Sequence, residues 1–151
     1  MPTFLALFYL AVLAALSALY LPGQKVQAET AVADAGATSL LVYRQAVIDY
    51  LNANPGFTGT VPDSSLAWPW GYVRDPRWTH VVQAGSALYV YEAGTSGAGR
   101  DQLLDQLYRK TVSSFMVGRN AAGTLVSTNG FATGVAVPPA VPNGAILVFG
   151  K

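Results

Sequence analysis

Apolar residues follow three rhythms along the chain, and each predicts a different kind of element. Residues 4–21 form an unbroken apolar run of seven Leu, two Phe, one Val, five Ala and two Tyr, interrupted only by Ser17 and free of charge. As a helix the run spans about 27 Å at 1.5 Å per residue, close to the thickness of a bilayer core. Its Leu, Phe and Val residues favour insertion by roughly 3–6 kcal/mol in total. Tyr20 stands where an interfacial aromatic belongs, and Pro22-Gly23 is expected to break the helix. The run therefore predicts a transmembrane anchor over residues 1–23. A cleaved secretory signal, cut after Val26-Gln27-Ala28, is the main alternative. It fits less well, because no Lys or Arg precedes the run and the run is long for a signal core. A helix buried in a soluble fold is the third reading. The flanking charges Lys25, Glu29 and Asp34 give no positive-inside bias, so they do not orient the segment.

Beyond it the rhythm changes. Residues 24–38 are rich in Ala and read as a juxtamembrane helix or tether. Leu40, Tyr43, Val47, Tyr50 and Leu51 then recur at helical spacing, which predicts a helix over 38–52 with Thr38 or Ser39 as N-cap and Asn54-Pro55-Gly56 as stop. Residues 79–83 and 87–92 read as two strands joined at Ala84-Gly85-Ser86, the second carrying the strand-forming Leu88-Tyr89-Val90-Tyr91. A loop at 94–99 leads into a second amphipathic helix over 101–117, with Leu104, Leu107, Tyr108, Val112 and Phe115 on one face and Gly118 as stop. Short strands at 124–127, 133–137 and 145–149 close the chain, and Pro138, Pro139 and Pro142 confine the stretch between the last two to an edge or loop. The order predicts an α+β fold, with two amphipathic helices on a mostly antiparallel sheet in one domain over 39–151.

Composition narrows the function classes. Charged residues are 11% of the chain and apolar ones 52%. An ordinary soluble domain has about 25% charged residues, so part of this surface is expected to be covered by other protein. The basic residues are scattered and the net charge is +1, which argues against nucleic-acid binding. With no cysteine and the single histidine His80, no zinc or thiol site is expected. His80 lies in a predicted strand and no Gly-x-Ser-x-Gly elbow is present, so it reads as structural rather than as a triad base. Asp63 and Asp75 beside the tryptophans could form a carboxylate pair. Both, however, occupy turn positions that favour Asp anyway (Pro62-Asp63-Ser64 and Asp75-Pro76). The glycine-rich loop at 94–99 lacks the Lys-Ser/Thr of a phosphate-binding loop. No catalytic residue, cofactor site or metal site is therefore assigned, and the chain reads as a non-enzyme.

The aromatic stretch Trp68-Pro69-Trp70-Gly71-Tyr72, with Trp78 beyond it, is the one feature with functional character. Large aromatics concentrate at interface hot spots. Trp68, Trp70, Tyr72 and Trp78 are therefore the candidate partner interface, with burial as ordinary core the competing reading.

Several local sequences taken together resemble the PilM family of type IVb (thin, conjugative) pilus systems. They are Tyr20-Leu21-Pro22-Gly23-Gln24, Leu41-Val42-Tyr43-Arg44-Gln45-Ala46-Val47 closing on Asn54-Pro55, Tyr108-Arg109-Lys110-Thr111, Ser113-Ser114-Phe115-Met116-Val117-Gly118-Arg119, and the Pro-rich end to Val148-Phe149-Gly150-Lys151. The resemblance implies an inner-membrane protein with a periplasmic domain, belonging to the basal apparatus that assembles or exports pilin. Its partners would be other pilus-machinery proteins or pilin and the membrane, with room for a homo-oligomer. The actin-like ATPase of the same name is a different protein, and no nucleotide loop is present here. The layout also resembles pilin-like subunits, and a pilin-like or secreted binding protein with a cleaved N-terminus is the alternative function. It departs from them in lacking a basic leader and a Glu at the fifth position of the apolar run, and in the expected break at Pro22-Gly23.

Overall fold

A single helix, α1 (Pro2–Ala53), runs without interruption through both the apolar segment and the first amphipathic stretch. The computed structural model describes residues 2–94, 97, 99–112 and 114–150, with the side chains of residues 2–7, 15 and 17–23 outside the description. At 1.5 Å per residue the 52 residues of α1 extend about 78 Å. The expected break at Pro22-Gly23 does not occur. An interior proline costs about 3 kcal/mol, and the Leu- and Ala-rich runs on either side are strong helix formers. No cap forms at Thr38 or Ser39 either. The Thr38 hydroxyl donates back to the Asp34 carbonyl (2.9 Å), the in-helix use of a threonine. The helix ends where expected: Asn54 precedes Pro55, which disfavours helical backbone, and the Asn54 side-chain amide donates to the Tyr50 carbonyl (2.9 Å).

Along α1 every described side chain from Phe8 to Ala28 is exposed, and Ala33 is the first buried one. The N-terminal half thus projects beyond the folded head, while the C-terminal half packs through Ala37, Leu40, Tyr43, Val47 and Leu51. Among the described residues no helix is long and apolar enough to cross a membrane. Much of the expected anchor, residues 4–7, 15 and 17–21, has side chains outside the described set.

Six antiparallel strands make one sheet: β1 (Trp78–Gln83), β2 (Ala87–Glu92), β3 (Val117–Ala121), β4 (Thr124–Ser127), β5 (Ala132–Ala136) and β6 (Ile146–Phe149). Their spatial order is β1-β2-β6-β3-β4-β5, so the last strand inserts between the two hairpins. Its partners are β2 and β3, with Val90 and Val117 both opposite Val148. The second helix, α2 (Arg100–Lys110), lies beside α1 on one face of the sheet. Trp78, Val82, Leu88, Val90, Ile146 and Val148 fill that interface. Alternation puts Tyr89, Tyr91 and Leu147 on the opposite face, covered by the Pro-rich segment through Val137 and Val141. The Tyr89 and Tyr91 hydroxyls pin it by donating to the Ala136 and Ala140 carbonyls (2.9 and 3.1 Å). A buried ion pair ties β2 to the start of α2, with Arg100 Nε 2.9 Å from Glu92 Oε2.

The second helix is shorter than the 101–117 expected. It closes after Lys110, where the Thr111 N–H and hydroxyl both bond to the Leu107 carbonyl (3.0 and 2.8 Å). Val112 then takes φ 55°, and Val112 and Phe115, expected on the buried face, are exposed. Residues 117–121 are instead a strand, which helical spacing in the sequence concealed. Gly118 is a strand position, not a stop. A Cβ there would meet the β4 backbone, 2.7 Å from Val126 C and 2.9 Å from Ser127 Cα.

Candidate functional site

The aromatic stretch connects α1 to β1, and its geometry begins with Tyr43 on α1. The Tyr43 ring stacks on Trp68 (centroids 5.8 Å apart, planes 23° apart), and Trp68 stacks in turn on Tyr72 (5.3 Å, 21°). Offset stacks of this kind contribute about 0.5–1.5 kcal/mol each beyond area burial. The Arg74 guanidinium lies over the Tyr43 ring at 5.6 Å and pairs with Asp63 at 2.7 Å. The Tyr72 hydroxyl lies 3.2 Å from both the hydroxyl and the carbonyl of Ser39, and Trp78 Nε1 donates to Ser39 Oγ (3.1 Å). Ser39, expected as a helix cap, is therefore the point on α1 to which the loop is fastened.

The four candidate interface residues have different environments. Trp78 is fully buried in the core under both helices, with Arg77 over its ring at 4.8 Å. That burial corrects its assignment to a partner surface: the Trp78 ring supports the sheet. Trp68 and Tyr72 are half-buried members of the stack. Trp70 is fully exposed, at 102%, and Val73 nearby is 85% exposed. Pro69 and Gly71 form the turn that presents Trp70: the Tyr72 N–H bonds to the Pro69 carbonyl (3.0 Å), and Gly71 takes φ 76°. An exposed apolar pair thus sits on a loop fixed from beneath. Tyr43, Arg74 and Val73 were not picked out by sequence reasoning, although Arg74 and Arg77 interleaved with aromatics are a readable cation–π signal.

His80 lies directly under the stack and is 1% exposed. Its Nδ1 is 2.8 Å from the Tyr43 hydroxyl, and its Nε2 accepts the Val61 N–H (2.9 Å). An accepting Nε2 places the proton on Nδ1, so the neutral ring donates to Tyr43. Burial drives the His80 pKa down to about 4 and raises that of Tyr43. Both ring nitrogens are occupied by the protein, as a structural histidine requires. Asp63 and Asp75 are each held by an arginine. Arg77 contacts Asp75 through Nε and Nη2 (3.0 and 2.7 Å to Oδ2), and these bonds keep the Asp75 carboxyl below its ordinary range. A carboxyl acting as the general acid of a carboxylate pair needs a raised pKa instead. No group of three or more metal-ligating side chains occurs among the described residues.

Comparison with known proteins points one way. The family model described as PilM matches residues 8–149. A crystal structure of a PilM protein from Escherichia coli B7A superposes with a TM-score of 0.60 at 21% identity, covering 80% of this chain and 93% of that one. A second, from Pseudomonas aeruginosa 2192, is 34% identical, covers 78% of this chain and 93% of that one, and has a TM-score of 0.45. No curated protein sequence matches the chain.

Proposed function

The chain belongs to the PilM family, and on that premise we propose that it is a non-enzymatic component of a type IV pilus assembly apparatus, acting through contacts with other pilus proteins or pilin. In this reading residues 4–21 anchor it in the inner membrane and the head lies in the periplasm. The observation that carries the reading is the Trp70 loop, where a wholly exposed indole sits on the turn between the stacked rings of Trp68 and Tyr72. Large, rigid, apolar anchors of this kind supply most of the energy at protein interfaces. The projecting half of α1 supports the anchor, since Phe8, Tyr9, Leu10, Leu13 and Leu16 are all exposed apolar residues. A role without nucleic acid is supported by the ion pairs that engage Lys25, Arg74, Arg77, Arg100, Arg109, Lys110 and Arg119. Co-purification of the full chain from membranes, with and without Trp70→Ala, tests the proposal. Recovery of pilus-machinery proteins that is lost in the variant supports it, and recovery of none overturns it.

A second reading, a pilin-like subunit with a processed N-terminus, is favoured by one observation: α1 is continuous through Pro22 and Gly23. That removes one of the departures from a pilin layout. Intact-mass analysis of the membrane fraction tests the cleaved, secreted alternative, because a mature chain beginning near Glu29 has lost the apolar run together with Pro22 and Gly23 and is incompatible with an anchor and with a pilin-like continuous helix alike.

A further inference from the structure

Among the described residues Arg44 is the one cation without an ion-pair partner; the other seven Lys and Arg side chains each pair with a carboxylate. Arg44 is half-buried on α1. Its Nη2 donates to the Gly150 carbonyl (3.0 Å), while its Nε is buried with no hydrogen-bond partner. Desolvation lowers its pKa, with no compensating carboxylate. Leaving a charged donor buried and unmatched costs about 1–3 kcal/mol or more. The group lines a groove of about 480 Å³ between α1, the end of α2 and the end of β6. Leu41, Val148 and Phe149 line the groove with it, Val112 and Met116 stand at its exposed margin, and no acidic side chain lines it. Val112 is also held at φ 55°, a conformation that strains a β-branched residue.

We propose that this groove binds a segment of another protein in which an Asp or Glu, flanked by large apolar side chains, pairs with Arg44. The apolar lining takes the flanking side chains, and the carboxylate supplies the counter-charge that the Arg44 guanidinium lacks. A second copy of this chain is a poor occupant, because its Asp and Glu side chains are already engaged. Glu29, Asp34, Asp63, Asp75, Glu92, Asp101 and Asp105 are in ion pairs, and Asp49 accepts from Gln45 (2.8 Å). A lipid headgroup is out of reach if the apolar run is membrane-embedded. Arg44 lies about 35 Å along α1 from Leu21, while the headgroup layer is only about 5–8 Å deep.

The test is a photo-crosslinker at Met116 in the full chain, expressed in its native cells, with adducts mapped by peptide mass spectrometry. The expected adduct is a different protein, joined at a segment with a carboxylate between apolar residues. Arg44→Glu should cut its yield roughly tenfold or more, and replacing the mapped carboxylate by Lys should restore it. Val112→Asp, an exposed change at the margin, should give the same loss should Arg44→Glu alter the thermal melt. A lipid adduct, a self-adduct, a segment without a carboxylate, no adduct, or a yield unmoved by both variants overturns the proposal. Pilus assembly, scored separately, reports on the proposed function, because a charge-dependent adduct with normal pili leaves the groove standing and removes that role.

Discussion

The Tyr43 hydroxyl on α1 and Nδ1 of His80 on β1 lie 2.8 Å apart beneath the aromatic stack. This bond joins helix, sheet and aromatic loop, because Tyr43 is also the inner ring of that stack and the Val61 N–H fixes the tautomer of His80. Protonating His80 would put a hydrogen on Nε2, facing the Val61 N–H, and would bury a charge.

From this a pH dependence follows. The folded His80 pKa is about 4, against an ordinary 6.5. Between those values the unfolded chain binds more protons, so stability rises with pH. The contribution is complete above pH 6.5, amounts to about 3 kcal/mol, and is lost as pH falls towards 4. Asp75 titrates below 3.8, under this window. Urea denaturation should show the loss in the native sequence and a much flatter profile for His80→Gln. Parallel profiles would refute it.

Trp70 and Trp78 should separate function from folding. Trp70→Ala removes an exposed ring and should leave stability within about 0.5 kcal/mol while weakening partner recovery and pilus assembly. Trp78→Ala removes a fully buried ring and should cost about 3–5 kcal/mol. Thermal melts beside an assembly assay read both, and equal destabilisation by the two variants would contradict this division.

Gly118→Ala should destabilise the head by about 1–3 kcal/mol, since the added methyl meets the backbone of β4. Denaturant midpoints at constant m-value measure it. A neutral result would mean that β3 and β4 can separate without penalty.

The continuity of α1 can be measured directly. Spin labels at Val12 and Ala35 should lie about 35 Å apart in detergent, the rise of 23 helical residues, whereas a sharp bend at Pro22-Gly23 would bring them closer. Both sites are exposed, so labelling leaves the core intact.

Where side-chain periodicity has one physical meaning, the sequence was sufficient. Alternating and continuous apolar runs set β1, β2 and β4 almost to the residue, and Asn54-Pro55 stopped α1, because strand register and proline sterics are local effects. The α+β class was legible for the same reason. Tertiary structure decided what local signals leave open. Helical spacing continued through Val112 and Phe115, but only the slot beside β4 and β6 makes residues 117–121 a strand, since pairing partners distant in sequence satisfy its backbone. Pro22-Gly23 reads as a break, yet strong helix formers on both sides outweigh one lost hydrogen bond. Four adjacent aromatics carried one compositional signal, and packing gave them different environments: Trp78 in the core, Trp68 and Tyr72 in the stack, Trp70 in solvent. Burial depends on what lies across the fold, and no property of the residue itself records it.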